Sequence, residues 1–207
     1  MIFPLLTKIW TRYYSYRKNY YRALRTKYKD GKFYQKIEER IKKITIIKTS
    51  TEIKLLPKIK LQNTKLNDIV KLYGQPNYII DEKEILNIKI LYYKKKIGTH
   101  KIKLEFHLYK KHLFFYSYDF SHEKSNNNIV KLLKSKYIKH FDKDIRKIGI
   151  IDQHKNIILV NNTVNLSILY ISGNNIVLNK ITKSLKFKET QEKRKIKNSY
   201  NKLFKRL

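Results

Sequence analysis

Asn67-Asp68-Ile69-Val70-Lys71-Leu72 returns 60 residues later as Asn127-Asn128-Ile129-Val130-Lys131-Leu132, and the reading of the fold turns on that echo. Apolar residues recur at helical spacing in both copies: Leu66, Ile69, Val70 and Tyr73, then Ile129, Leu132, Leu133 and Tyr137. Each stretch therefore predicts a short amphipathic helix. The match continues outward. Tyr78-Ile79 meets Tyr137-Ile138 at a spacing of 59, Glu84-Ile85 meets Asp144-Ile145 at 60, and residues 104–109 parallel 166–170, with Tyr109 and Tyr170 61 apart. Self-similarity at a nearly fixed period marks a repeated supersecondary unit.

Three strand-like runs follow each predicted helix: 86–93, 100–109 and 113–120, then 146–152, 155–160 and 164–172, with 176–178 as a possible further strand. The turns between them are polar. The expected fold is α+β: an antiparallel sheet from two related helix-plus-meander units, 61–123 and 124–180, with helices covering one face. Basic segments flank it. In 1–60, a helix over 5–28 carries the stripe Leu6, Ile9, Trp10, Tyr13, Tyr16, Tyr20, Leu24 and Tyr28 and ends at Asp30-Gly31. A second helix over 32–43 follows, then one or two strands over 44–61 interrupted by Pro57. In 181–207, Leu185, Phe187, Ile196, Tyr200, Leu203 and Phe204 lie among lysines and predict a basic helical tail.

The run Leu66-Asn67-Asp68-Ile69-Val70-Lys71-Leu72-Tyr73-Gly74-Gln75-Pro76, with strands through Tyr92 and Phe106, resembles the SmpA/OmlA (BamE-like) domain, a short helix, a Gly-x-Pro turn and three antiparallel strands. A tandem pair of such units is similar to the architecture of β-lactamase inhibitor proteins. The resemblance implies a fold and a habit of binding other proteins without catalysis. The chain departs from the lipoprotein branch in having no cysteine.

Absence of cysteine excludes disulfides and thiol chemistry and fits a cytoplasmic location. No stretch is apolar for long enough to span a membrane as a helix, and the apolar start of the chain lacks the marks of a signal peptide. The formal net charge is +32. Lys, Ile, Asn and Tyr abound while alanine occurs once, so AT-rich codon usage competes with a polyanion partner as the explanation of the charge. Distribution points to more than codon usage. Residues 1–60 carry 17 Lys+Arg against 4 Asp+Glu, residues 180–207 carry 11 against 2, and the longer centre carries 20 against 10. Two basic arms on a milder core would attract a polyanion.

Histidines and acids give no catalytic or metal-binding pattern. Glu105 and His107, two apart on a predicted strand, share a face and have the chemistry of a metal or acid–base pair; the simpler expectation is that they line a polar face opposite Leu104, Phe106 and Leu108. Asp119, His122 and Glu123 cluster where a strand ends and suit a turn or cap. No cofactor, metal or catalytic residue is expected, and the chain reads as a binding protein rather than an enzyme.

Tyrosines interleave with cations near the N-terminus, which suits stacked bases with bound phosphates, an anionic lipid surface, or a helix that simply covers the sheet. The candidate polyanion contacts are Arg12, Arg17, Lys18, Arg22 and Arg25 at one end and Lys193, Arg194, Lys205 and Arg206 at the other. The expected partner is an acidic protein, as for an inhibitor or immunity-type protein. The alternatives are a nucleic acid held through the basic ends, or peripheral association with an anionic membrane.

Overall fold

The computed structural model describes residues 18–56, 59–62, 64–81, 87–98, 100–120, 126–138, 144–162, 165–173 and 176–204, so residues 5–17 of the expected first helix lie outside it. Residues 18–29 form α1. Gly31, at φ 71°, turns the chain into α2 (Lys32–Lys43) through a left-handed conformation that costs glycine little. β1 (Thr45–Lys48) and the small hairpin β2 (Lys54–Leu56) and β3 (Ile59–Lys60) follow. α3 (Leu66–Tyr73) opens where the Asp68 carboxylate accepts the Lys65 backbone N–H at 2.8 Å.

Next come β4 (Tyr78–Ile80), β5 (Ile88–Ile97), β6 (His100–Tyr109) and β7 (His112–Phe120). The second unit is α4 (Asn126–Tyr137), a single 3₁₀ turn (Ile145–Lys147), β8 (Ile148–Ile151), β9 (Ile157–Asn162) and β10 (Leu166–Ile171). The last element is α5 (Ile176–Phe204). Residues 176–178, expected as a possible strand, are the first turn of this helix. No helix among the described residues is long and apolar enough to cross a membrane.

One sheet holds eight strands in the order β1-β8-β9-β10-β7-β6-β5-β4. The two meanders join through their final strands, β7 antiparallel to β10, with the Tyr116 and Tyr170 rings stacked at 4.3 Å. β1 adds to the far edge parallel to β8, so the sheet is mixed rather than wholly antiparallel. A hairpin forces antiparallel pairing, but β1 and β8 are separated by the β2–β3 hairpin, the whole first unit and α4, which leaves either direction open.

The sixty-residue spacing holds for the first residues of α3 and α4, Leu66 and Asn126, and of β5 and β8, Ile88 and Ile148. It fails elsewhere. Tyr78-Ile79 lies on β4 whereas Tyr137-Ile138 closes α4, and residues 104–109 lie on an inner strand of their meander whereas 166–170 lie on the last.

Helices cover both faces, not one. On the first, Ile69 of α3, Leu133 and Tyr137 of α4 and the β2–β3 residues Ile53, Leu55 and Leu61 bury Leu91, Leu104, Phe106, Tyr116 and Tyr170. On the second, Tyr28 of α1, Tyr34 and Ile37 of α2 and Leu178, Ile181 and Leu185 of α5 bury Ile90, Phe115, Leu159 and Ile171. Central strands are therefore apolar on both sides, as in Leu113-Phe114-Phe115-Tyr116, where all four side chains are buried. Asp152 locks the second unit to the β2 segment: its carboxylate accepts from the backbone of Ile53, His154 and Asn156 and from the Asn156 side chain, at 2.8–2.9 Å.

Candidate functional site

Alternation along β6 sends Lys101, Lys103, Glu105 and His107 to the face beneath α1 and α2. The inner two are not on an open polar face, as the sequence suggested, but buried. A buried carboxylate must be paired or hydrogen-bonded. Tyr28 of α1 donates its hydroxyl to Glu105, and the Lys27 ammonium stands 3.3 Å from the same oxygen. The Tyr34 hydroxyl and His107 Nδ1 share a hydrogen bond of 2.7 Å. His107 Nε2, 3.7 Å from Glu105, has no hydrogen-bond partner among the described residues.

Burial works to raise the Glu105 pKa, but Lys27, His107 and Tyr28 outweigh it and hold the carboxyl at about 2. Burial lowers the pKa of His107, against the pull of Glu105, so the ring is neutral near pH 7. Burial, then Glu105, raises the Tyr28 phenol and keeps it a donor. These groups anchor α1 to the sheet. Among the described residues no three His, Asp or Glu side chains gather as a metal would require.

Toward the turn of the hairpin the same face becomes basic. Lys94 of β5 lies directly opposite Lys103 of β6, and Lys96 opposite Lys101. Like charges directly opposite each other destabilise a sheet. The α1 ring Tyr20 lies beside them, with Lys94 Nζ 4.8 Å and Lys103 Nζ 5.1 Å from its centroid. Tyr21 stacks on Tyr78 of β4 at 4.0 Å, and the Arg25 guanidinium sits 5.6 Å over the Tyr78 ring. Lys18, Arg22 and Arg25 are exposed on this helix. The structure thus places Arg25, one of the sequence-named cations, over the edge strand beside a hairpin whose four lysines the sequence assigned to the milder core, with Lys18 and Arg22 exposed on the same helix. The signal available was the run Lys94-Lys95-Lys96 followed, four residues on, by Lys101-x-Lys103.

Register extends the polar row across the sheet. Lys103 pairs with Asp119 of β7, Asp119 with Ser167 of β10, and Ser167 with Asn161 of β9. With Lys94, this is a shelf five strands wide, about 19 Å at the usual strand spacing. Asp119 is half-buried and accepts from the Ser167 hydroxyl; burial and then Glu105 raise its pKa. Where α2 overhangs the far part of the shelf, a cavity of about 320 Å³ opens, lined by Lys27, Phe33, Lys36, Arg40, Ser117, Asp119, Asn161 and Ser167 with Ile37 and Leu169. Arg40 braces the end, donating to the Asn161 side-chain oxygen and, at 2.8 Å, to the Val160 carbonyl.

The other named residues are elsewhere. Lys193 and Arg194 are exposed on α5, beyond Leu185, its last core residue, and are not among the side chains gathered round Tyr20. Arg12, Arg17, Lys205, Arg206, His122 and Glu123 lie outside the described residues. Compared with known protein families, curated proteins and solved structures, the chain shows no significant match.

Proposed function

We propose that this chain is a non-catalytic binding protein whose partner is a single-stranded nucleic acid, laid along α1 and the β5–β6 hairpin. The observation that carries this reading is the opposed pair Lys94 and Lys103 flanking the Tyr20 ring, with Tyr21 and Tyr78 stacked alongside. Like-charged pairs cost the isolated protein stability, and a bound phosphate chain removes that cost by bridging them. Aromatic side chains beside cations are the surface on which bases stack while phosphates are held. The exposed Lys193 and Arg194 of α5 add attraction at longer range.

Fluorescence anisotropy of a labelled oligouridine strand against the full chain tests this. Binding is expected to weaken steeply with salt. Lys94→Gln with Lys103→Gln is expected to lower affinity about tenfold and reduce the salt slope by about two, one for each lost phosphate contact. Affinity unchanged in that double variant sinks the reading. Tight, salt-tolerant capture of an acidic protein in the absence of nucleic acid, through the core 61–179, replaces it with the inhibitor-like alternative that the resemblance to tandem BamE-like units implies.

A further inference from the structure

The cavity under α2 lies on the same shelf as the lysine pairs, separated from Lys103 by no more than one strand. Asp119 is Lys103's direct cross-strand neighbour and also lines the cavity. Its walls and floor differ in chemistry. Phe33, Ile37 and Leu169 supply an apolar and aromatic wall, while Ser117, Asp119, Ser167 and Asn161 supply a polar floor. Lys27, Lys36 and Arg40 complete the lining with positive charge. An apolar cleft with a few convergent polar groups is the general form of a small-ligand site, and about 320 Å³ accommodates a single aromatic heterocycle but not a folded segment.

The polar floor selects among heterocycles. The Asp119 carboxylate offers about four lone-pair sites and spends one on the Ser167 hydroxyl. Asn161 has its side-chain oxygen engaged by Arg40, which fixes the amide and turns its NH₂ into the group left to donate. A ligand edge with two adjacent N–H donors and a neighbouring carbonyl acceptor satisfies both residues. Guanine presents that set as N1–H, the N2 amine and O6. Cytosine has one amine, adenine has one amine beside an acceptor, and uracil has one imide N–H between two carbonyls.

We propose that this cavity takes one guanine base of the bound strand, splayed from its neighbours against Phe33, with Asp119 accepting from N1–H and the N2 amine and Asn161 donating to O6. The inference rests on the nucleic-acid reading and adds base selectivity to it. Reading a splayed base on its Watson–Crick edge is the usual route to sequence preference in single strands, and a two-pronged pairing to a carboxylate is the arrangement that rejects analogues lacking one prong.

The test is anisotropy with the full chain and three labelled strands: all-uridine, the same strand with one central guanosine, and the same strand with inosine there. The guanosine strand is expected to bind about tenfold more tightly than all-uridine, a discrimination within the range of one good bidentate pair. Inosine lacks the N2 amine and is expected to lose most of that gain. Asp119→Asn presents a donor where an acceptor is required and is expected to bring the guanosine-to-uridine ratio near one. The inosine comparison uses the unaltered chain, so it stands even where the variant folds poorly. Equal affinity for all three strands overturns the base pocket while leaving the lysine-dependent binding intact. Absence of binding to every strand overturns both readings.

Discussion

Glu105 ties α1 to the sheet through Tyr28 and Lys27, and its replacement has a direct cost. In Glu105→Gln, the buried Tyr28 hydroxyl loses its charged acceptor, while Lys27, more than a third exposed, returns to water. The expected loss is about 2 kcal/mol, read from urea unfolding, the usual worth of a buried hydrogen bond to a charged group. Acid should act the same way, in two stages. His107 is held below its ordinary value of 6.5 in the fold, so the unfolded chain binds the proton first and stability falls as pH drops below about 6.5. Glu105 is held at about 2 against an ordinary 4.5. Its contribution is present in full above that ordinary value and is lost as pH falls from there through the folded value. Unfolding free energy measured from pH 7 to pH 3 should decline throughout, and Glu105→Gln should flatten the lower part. The sequence put Glu105 and His107 on one face of one strand. It did not say that a helix lies over that face, because the helix stripe and the strand alternation have no shared register until the chain packs.

At the scale of the element, the β5–β6 hairpin sets stability against binding. Lys94→Glu turns one like-charged pair into an opposite pair facing Lys103. It is expected to raise stability by about 0.5 kcal/mol, the usual worth of a cross-strand pair, while weakening oligouridine binding. Thermal melting and anisotropy on one preparation check both signs, and a variant that loses both properties argues that the lysines are structural. The hairpin was half legible: its strands were expected at 86–93 and 100–109, and the first in fact runs on to Ile97. Three consecutive lysines read as a turn because their charge hides the alternation beneath them. α5 was legible in its basic character but not in its start, since Ile176, Val177 and Leu178 fit a strand as well as a helix until Leu178 packs beside Ile181 and Leu185.

Over the whole molecule, α5 divides at Leu185. Phe187, Ile196, Tyr200 and Phe204 beyond it are 65, 56, 68 and 83% exposed, so that half draws no support from the core. Removing residues 187–207 is expected to leave the unfolding midpoint of the body within error and to lower nucleic-acid affinity and its salt dependence together, as the loss of a net-basic arm requires. A fall in midpoint of more than about 4 °C, equivalent to roughly 1 kcal/mol or more, would mean that this half packs on the body after all.

Local pattern settled which residues become helix and strand over most of the chain, that the two halves share a helix-plus-meander order, and that the surface is strongly positive, because periodicity and charge are properties of neighbours along the chain. Packing decided the rest. The joining of the meanders through β7 and β10, the parallel addition of β1, helices on both faces and the row from Lys94 to Asn161 all depend on pairings between residues far apart in sequence. Burial of both sheet faces and the cross-strand register select those pairings, and neither is a property of any single stretch of chain.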